Sequence, residues 1–314
     1  MSGSARLIVL LGPTASGKSA LAITLAEKLD AEILVCDSTQ VYRHFDIGTA
    51  KVPPAEQHGI PHHLVNLVDP VETFTAGDYQ RRAVETLHEL RGRGKLPILT
   101  AGTGLYLRAL LEGLSDAPQR SEALRARLRA SAQGRGALHL HGLLKRLDPG
   151  AGARIAPLDT QKIIRGVEMR LLAGKPIDEI HQAGRSALEG YAVTKIGLNP
   201  PGPVLYERIK ARTMQMIHAG WLEEVRGLIA AGVPEKAKPF QFIGYSELRR
   251  QIEGTMSPET AVERIQQATR QFAKRQVTWF RREKGVTWLA GFGDDPQIAA
   301  AALDICSPAH PQLP

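Results

Sequence analysis

The chain has 314 residues, 43% of them hydrophobic, and 40 lysines and arginines against 32 acids give a net charge of +8; at about 150 residues per domain that length suggests two units. Two cysteines far apart, Cys36 and Cys306, exclude a disulfide framework and a zinc module. No apolar run approaches the ~18 residues of a membrane span, no signal or transit segment is expected before the first apolar run, and a monomer in the reducing cytoplasm is expected.

Residues 6–11 are short, aliphatic and read as a buried strand, and 17–29 read as a helix with Leu21, Ile23, Leu25 and Leu29 inward. A second strand is predicted at 32–36 and a third at 64–68. Residues 77–92 carry Tyr79, Ala83, Leu87 and Leu90 at helical spacing. A strand at 96–101, a glycine turn and a helix at 103–112 follow. Strands alternating with helices predict an α/β fold, a P-loop NTPase-like parallel sheet flanked by helices.

From residue 118 to about 185 only helical periodicity is legible, and the stretch 115–200 is net +6. Asp159 is placed to cap a helix running to 173. Ile163, Ile164, Val167 and Leu171 form its apolar stripe, and Gln161, Arg165 and Glu168 its polar one. A return strand is predicted at 193–198, helices at 205–218 and 221–231, and a last helix from Ser257-Pro258. Val262, Ile265, Phe272 and Trp279 make that helix's core stripe. Residues 257–285 are net +4, so these two stretches hold more than the whole excess of positive charge, a pattern suited to a polyanion. The predicted division is a discontinuous core of 1–114 and 196–292, an inserted all-helical domain of 115–195, and a tail of 293–314.

Gly12, Pro13, Thr14, Ala15, Ser16, Gly17, Lys18 and Ser19 fit G-x-x-x-x-G-K-S between a strand and a helix. Backbone N–H groups, the positive end of the helix and Lys18 there cradle phosphate, and Ser19 is placed to ligate Mg²⁺. The strand at 96–101 ends without the acid that usually holds magnesium in P-loop NTPases. An acid stands instead at Asp37, beyond the second strand, where ligands of open α/β sheets bind.

Asp37-Ser38-Thr39-Gln40-Val41-Tyr42, Asp46-Ile47-Gly48-Thr49-Ala50-Lys51, His62-His63-Leu64 with Asp69-Pro70, Gly102-Thr103-Gly104-Leu105-Tyr106, Gln161-Lys162-Ile163-Ile164-Arg165 and Ile243-Gly244-Tyr245 follow in that order. Together they strongly resemble the signature of the tRNA dimethylallyltransferases. The resemblance implies transfer of a dimethylallyl group from dimethylallyl diphosphate, with Mg²⁺, to N6 of the adenosine 3′ of the tRNA anticodon. It makes Asp37 the general base and sets Lys18, Thr103 and Arg212 about the diphosphate. It gives tRNA contacts to Asp37, Ser38, Thr39, Gln40, Thr103, Arg125, Gln161, Lys162, Ile163, Ile164 and Arg165, and assigns the basic helical insertion to the anticodon stem-loop. Lys162 stands where arginine is common, keeping the charge without the bidentate fork. His62 and His63 receive no role. The alternatives are a P-loop small-molecule kinase consuming ATP, an adenylate isopentenyltransferase acting on free nucleotide, and a non-catalytic RNA-binding protein.

Overall fold

A computed structural model describes residues 4–115, 117–118, 120–182 and 187–307. Six parallel strands form one sheet in the order β3-β2-β4-β1-β5-β6: β1 (Ala5–Leu11), β2 (Ala31–Cys36), β3 (His62–His63), β4 (Leu96–Ala101), β5 (Tyr191–Leu198) and β6 (Val286–Leu289). The central strands are short aliphatic runs because helices cover both of their faces. Leu7, Val9, Leu10, Leu11, Leu34 and Leu99 are completely buried. In the register, Ala101 lies opposite Leu11 on one side and Cys36 on the other. The loops after β1, β2 and β4 therefore leave the sheet at one level.

The helices are α1 (Lys18–Leu29), α2 (Ala76–Gly92), α3 (Gly104–Leu111), α4 (Glu122–Arg135), α5 (Ala137–Leu147), α6 (Pro149–Arg154), α7 (Thr160–Ala173), α8 (Ile177–Gln182), α9 (Gly202–His218), α10 (Trp221–Ala230), α11 (Tyr245–Ile252), α12 (Pro258–Phe280) and α13 (Pro296–Cys306). Thr75 and Asp78 form a reciprocal capping box at the start of α2, and Asp159 and Ser257 accept the N3 amides of α7 and α12. The chain divides into two units, Met1–Leu110 with Glu189–Pro314, and Leu111–Leu188. The second has its own core, built on Leu140, Leu144, Ile163, Val167 and Ile180.

Five sequence expectations are corrected. The third strand is not 64–68: Leu64 and Asn66 take positive φ and break the extended run, so His62–His63 pair with β2 instead, and Val68 makes only an isolated bridge with Tyr42. The predicted insertion 115–195 runs too far, because β5 starts at Tyr191. On α7, Leu171 is 50% exposed, while Glu168 of the polar stripe is completely buried. On α12 the buried residues are Ala261, Ile265, Ala273, Gln276 and Phe280, and the bulky Phe272 and Trp279 flank them.

The fifth correction concerns the predicted tail of 293–314: its described part, 293–307, is not simply a tail, and 308–314 lie outside the described residues. Helix α13 packs Ala299, Ala302 and Cys306 into the core cluster that holds Leu21 and Leu25 of α1, and Arg6 of β1 donates to the Cys306 carbonyl. Ala302 is fully buried. Ala302→Leu overpacks that contact and is expected to cost about 1–3 kcal/mol of stability in urea denaturation; an unchanged midpoint would restore the tail assignment.

Candidate active site

The phosphate loop turns sharply between β1 and α1, with Gly12, Ala15 and Gly17 at positive φ. Lys18 folds its ammonium back over the loop and donates to the carbonyls of Gly12 at 2.6 Å and Pro13 at 2.9 Å. Burial lowers its pKa to about 7; the charge of Asp37 opposes that shift and the charge of Arg212 adds to it. Ser16 is 1% exposed, and its hydroxyl has no hydrogen-bond partner among the described residues, as suits a donor for an anion. Ser19 is exposed on the first turn of α1. The loop is held from the supposed tail: the Gly293 amide donates to the Ser16 carbonyl at 2.9 Å, and Asp294 pairs with Arg208 of α9 at 2.6 Å.

Asp37 leaves β2 beside this loop. Its Oδ1 accepts from the Thr39 amide at 2.8 Å and the Thr39 hydroxyl at 2.7 Å. Its Oδ2 lies against Gly102, where an added Cβ would come within 2.4 Å of it, so a side chain there would displace the carboxylate. The electrostatic field of Asp37 reaches both cations: burial lowers the pKa of Arg212 on α9, and Asp37 raises it. A carboxylate, an ammonium and a guanidinium thus converge on one region of the first unit. Thr103 completes it, accepting from the Ser38 amide at 3.0 Å and donating to the Ser38 hydroxyl at 3.2 Å.

The motif at 46–51 fixes the far end of the Asp37 loop. Glu224 of α10 accepts from the amides of Asp46 at 2.9 Å, Ile47 at 2.8 Å and Gly48 at 3.4 Å, and from the Tyr245 hydroxyl at 2.5 Å. Lys51 donates to the Tyr42 carbonyl, Asp46 and Asn66 at 2.6–2.7 Å. Beneath them Phe45 packs on Tyr245 with ring centroids 4.8 Å apart, and Trp221 meets Tyr245 edge-on. The amide of Gln40 donates to the Thr49 carbonyl at 3.0 Å and so serves this same loop. Sequence reasoning missed Glu224 and Lys51 as loop anchors. The run of six matching residues at 46–51 was the available signal for Lys51.

His63 has a structural position. Glu32, in β2, accepts from His63 at 2.6 Å and from Arg93 at 2.7 and 2.8 Å, which ties the edge strand to the end of α2.

The remaining candidates lie on the second unit. Gln161 and Lys162 are exposed. Ile163 and Ile164 are 0% and 7% exposed, and their side chains belong to that unit's core. Arg125 and Arg165 share the buried Glu168: Arg125 donates at 2.9 and 2.7 Å, Arg165 at 2.7 Å, and the Ser121 amide at 2.8 Å. Both arginine side chains keep part of their surface open, 18% and 33%.

These features define a P-loop-like α/β protein in which the glycine-rich loop and a carboxylate lie at the same carboxyl end of the sheet. A family model described as IPP transferase matches residues 40–283, and the chain belongs to that family. It is 48% identical over 298 residues to a tRNA dimethylallyltransferase of Solibacter usitatus, covering 95% of this chain and 97% of the relative. It is 44% identical over 303 residues to one from Myxococcus xanthus, covering 96% and 97%. Among solved structures, a full-length tRNA isopentenylpyrophosphate transferase from Bacillus halodurans superposes with a TM-score of 0.69 at 35% identity, covering 96% of each chain. A eukaryotic dimethylallyltransferase acting on tRNA superposes at 0.74 and 27% identity, covering 88% of this chain and 70% of that one.

Glu168 gives a test of the second unit. Burial raises its pKa, but hydrogen bonds from Arg125, Arg165 and the Ser121 amide outweigh burial and bring it from the ordinary 4.5 to about 2. A carboxylate held below its unfolded value contributes stability above pH 4.5, and loses it as the pH falls towards 2. Glu168→Ala leaves two arginines without their partner and is expected to cost about 3–5 kcal/mol. Hydrogen exchange of helices α4 and α7 between pH 5 and 3 checks both expectations: protection falls with acid in the parent chain and is low throughout in the variant.

Proposed function

We propose that the protein transfers the dimethylallyl group of dimethylallyl diphosphate to N6 of the adenosine 3′-adjacent to the anticodon in tRNA. Membership of the IPP transferase family supports the reaction class. The names of the relatives support tRNA as the acceptor. The observation that carries the reading is Asp37, whose Oδ2 accepts no hydrogen bond among the described residues and whose charge acts on Lys18 and Arg212.

In the reaction the N6–C1 bond forms and the bond from C1 to the diphosphate oxygen breaks. The proton leaving N6 passes to Asp37 Oδ2, and the electron pair of the broken bond leaves with diphosphate. Thr39 fixes Oδ1, so the other oxygen is aimed for this role. A positioned base of this kind contributes ~10²–10⁴-fold. Amides of the phosphate loop, Lys18, Thr103 and Arg212 stabilise the charge that gathers on the leaving group, where removing one donor commonly costs ~10²–10³-fold. Burial makes Lys18 easy to deprotonate, and an incoming diphosphate restores its charge.

Among the described residues no group of three or more His, Cys, Asp or Glu can hold a metal. The donor set, an exposed Ser19 beside the loop, fits Mg²⁺ that arrives on the diphosphate and keeps water ligands. Bound there, the ion would neutralise charge on the departing oxygens. The adenine is expected to leave its stack to reach Asp37, with Ser38, Thr39 and Gln40 beside its edge. Gln161, Lys162, Arg125 and Arg165 offer polar groups to the RNA. Among the described residues no helix is long and apolar enough to cross a membrane, and the free buried cysteines suit a reducing cytoplasm.

Incubation with dimethylallyl diphosphate, Mg²⁺ and an anticodon stem-loop with adenine after the anticodon, followed by mass spectrometry, tests the reading. One added five-carbon unit on that adenine is expected, and Asp37→Ala should keep RNA affinity while turnover falls by ~10²-fold or more. ATP-dependent phosphorylation of a metabolite with no change to the RNA would overturn it.

A further inference from the structure

The two halves of the site are joined by one side chain outside the signature motifs. Gln276 on α12 is 6% exposed. Its Oε1 accepts from the Thr14 amide at 2.8 Å, and its Nε2 donates to the Gly102 carbonyl at 2.8 Å. Thr14 belongs to the phosphate loop. Gly102 begins the turn that packs on Asp37 and carries Thr103, which in turn bonds Ser38. One helical turn further along α12, Trp279 lies over Gly104, where a Cβ would come within 2.1 Å of its indole nitrogen. The same helix thus grips the phosphate loop and the turn after β4.

Only a primary amide of this length supplies an acceptor to one loop and a donor to the other. The groups it serves are a partly buried amide and a buried carbonyl, each costly to leave unpaired. The Thr14 amide spent on Gln276 is also withdrawn from the set that meets phosphate. This points to a locating role for that bond.

We propose that Gln276 is a positioning residue that sets the distance between the diphosphate cradle and the Asp37–Thr103 base-side pocket. The proposal rests on the transferase reading for its catalytic consequence, but its structural content, two loops held by one amide, stands without it. Misplacing reactants by about 1 Å costs on the order of 10²-fold, so the expected loss is in kcat, with RNA affinity unchanged.

The experiment uses the full chain with Gln276→Met, which removes both bonds at similar volume, and Gln276→Glu, which keeps the acceptor for Thr14 and loses the donor for Gly102. Hydrogen exchange read peptide by peptide should rise at 12–17 and 102–104 in the first variant, and at 102–104 alone in the second. Prenylation of the anticodon stem-loop should show kcat lower by ~10- to 100-fold in both, with KM for the RNA within twofold of the parent. A parent chain that prenylates no RNA would sink the transferase reading, yet the exchange pattern would still decide the link. Uniform exchange increases across the sheet, or parental kcat per diphosphate-binding molecule in both variants, would reduce Gln276 to a stability residue and overturn the proposal.

Discussion

Everything at the site follows from the level ending of three parallel strands. Ala101 stands opposite both Leu11 and Cys36, so Gly12, Asp37 and Gly102 step off the sheet side by side. Aliphatic packing on both faces holds that register, because sliding one strand would move its whole buried run against new neighbours. Ligands of open α/β sheets gather beyond the carboxyl ends of strands for this reason.

The stiffening is largely electrostatic. Glu224 gathers three successive backbone amides of the 46–48 segment, as a bound anion would. Glu168 does a related service in the second unit for two arginines and the amide that opens α4. Each carboxylate sits among fixed donors that repay its desolvation, and removing either leaves several polar groups stranded at once. Asp37 is different. One oxygen of its carboxylate is tied to Thr39, and the other accepts no hydrogen bond among the described residues.

Hydrophobic period made β1, β2, β4, α1 and α2 legible, since each presents an unbroken aliphatic run or a clear helical face. The phosphate loop was legible because its four specified positions, Gly12, Gly17, Lys18 and Ser19, match at the right spacing and the flanking elements agree. Periodicity failed where a polar residue occupies a core position. Gln276 and Glu168 both lie on buried helix faces, and a search for apolar stripes passes over them. It also shifted the stripe of α12 onto Phe272 and Trp279, because the residue of α12 that packs against Leu205 and Ile209 of α9 is the small Ala273. Helix α13 was hidden by its alanines, and β6 by its four-residue length. Glu224 was out of reach altogether: its partners lie far away in the chain, and only the fold brings them together.

The central claim is that the Asp37 carboxylate and the phosphate loop serve one reaction centre. A structure of the protein with a non-reactive thiolodiphosphate analogue of the donor and an anticodon stem-loop tests it most directly. The account predicts diphosphate oxygens on the amides of the loop and on Lys18, with the flipped adenine's N6 about 3 Å from Asp37 Oδ2. An adenine lodged elsewhere, or a prenyl chain pointing away from Asp37, would contradict it.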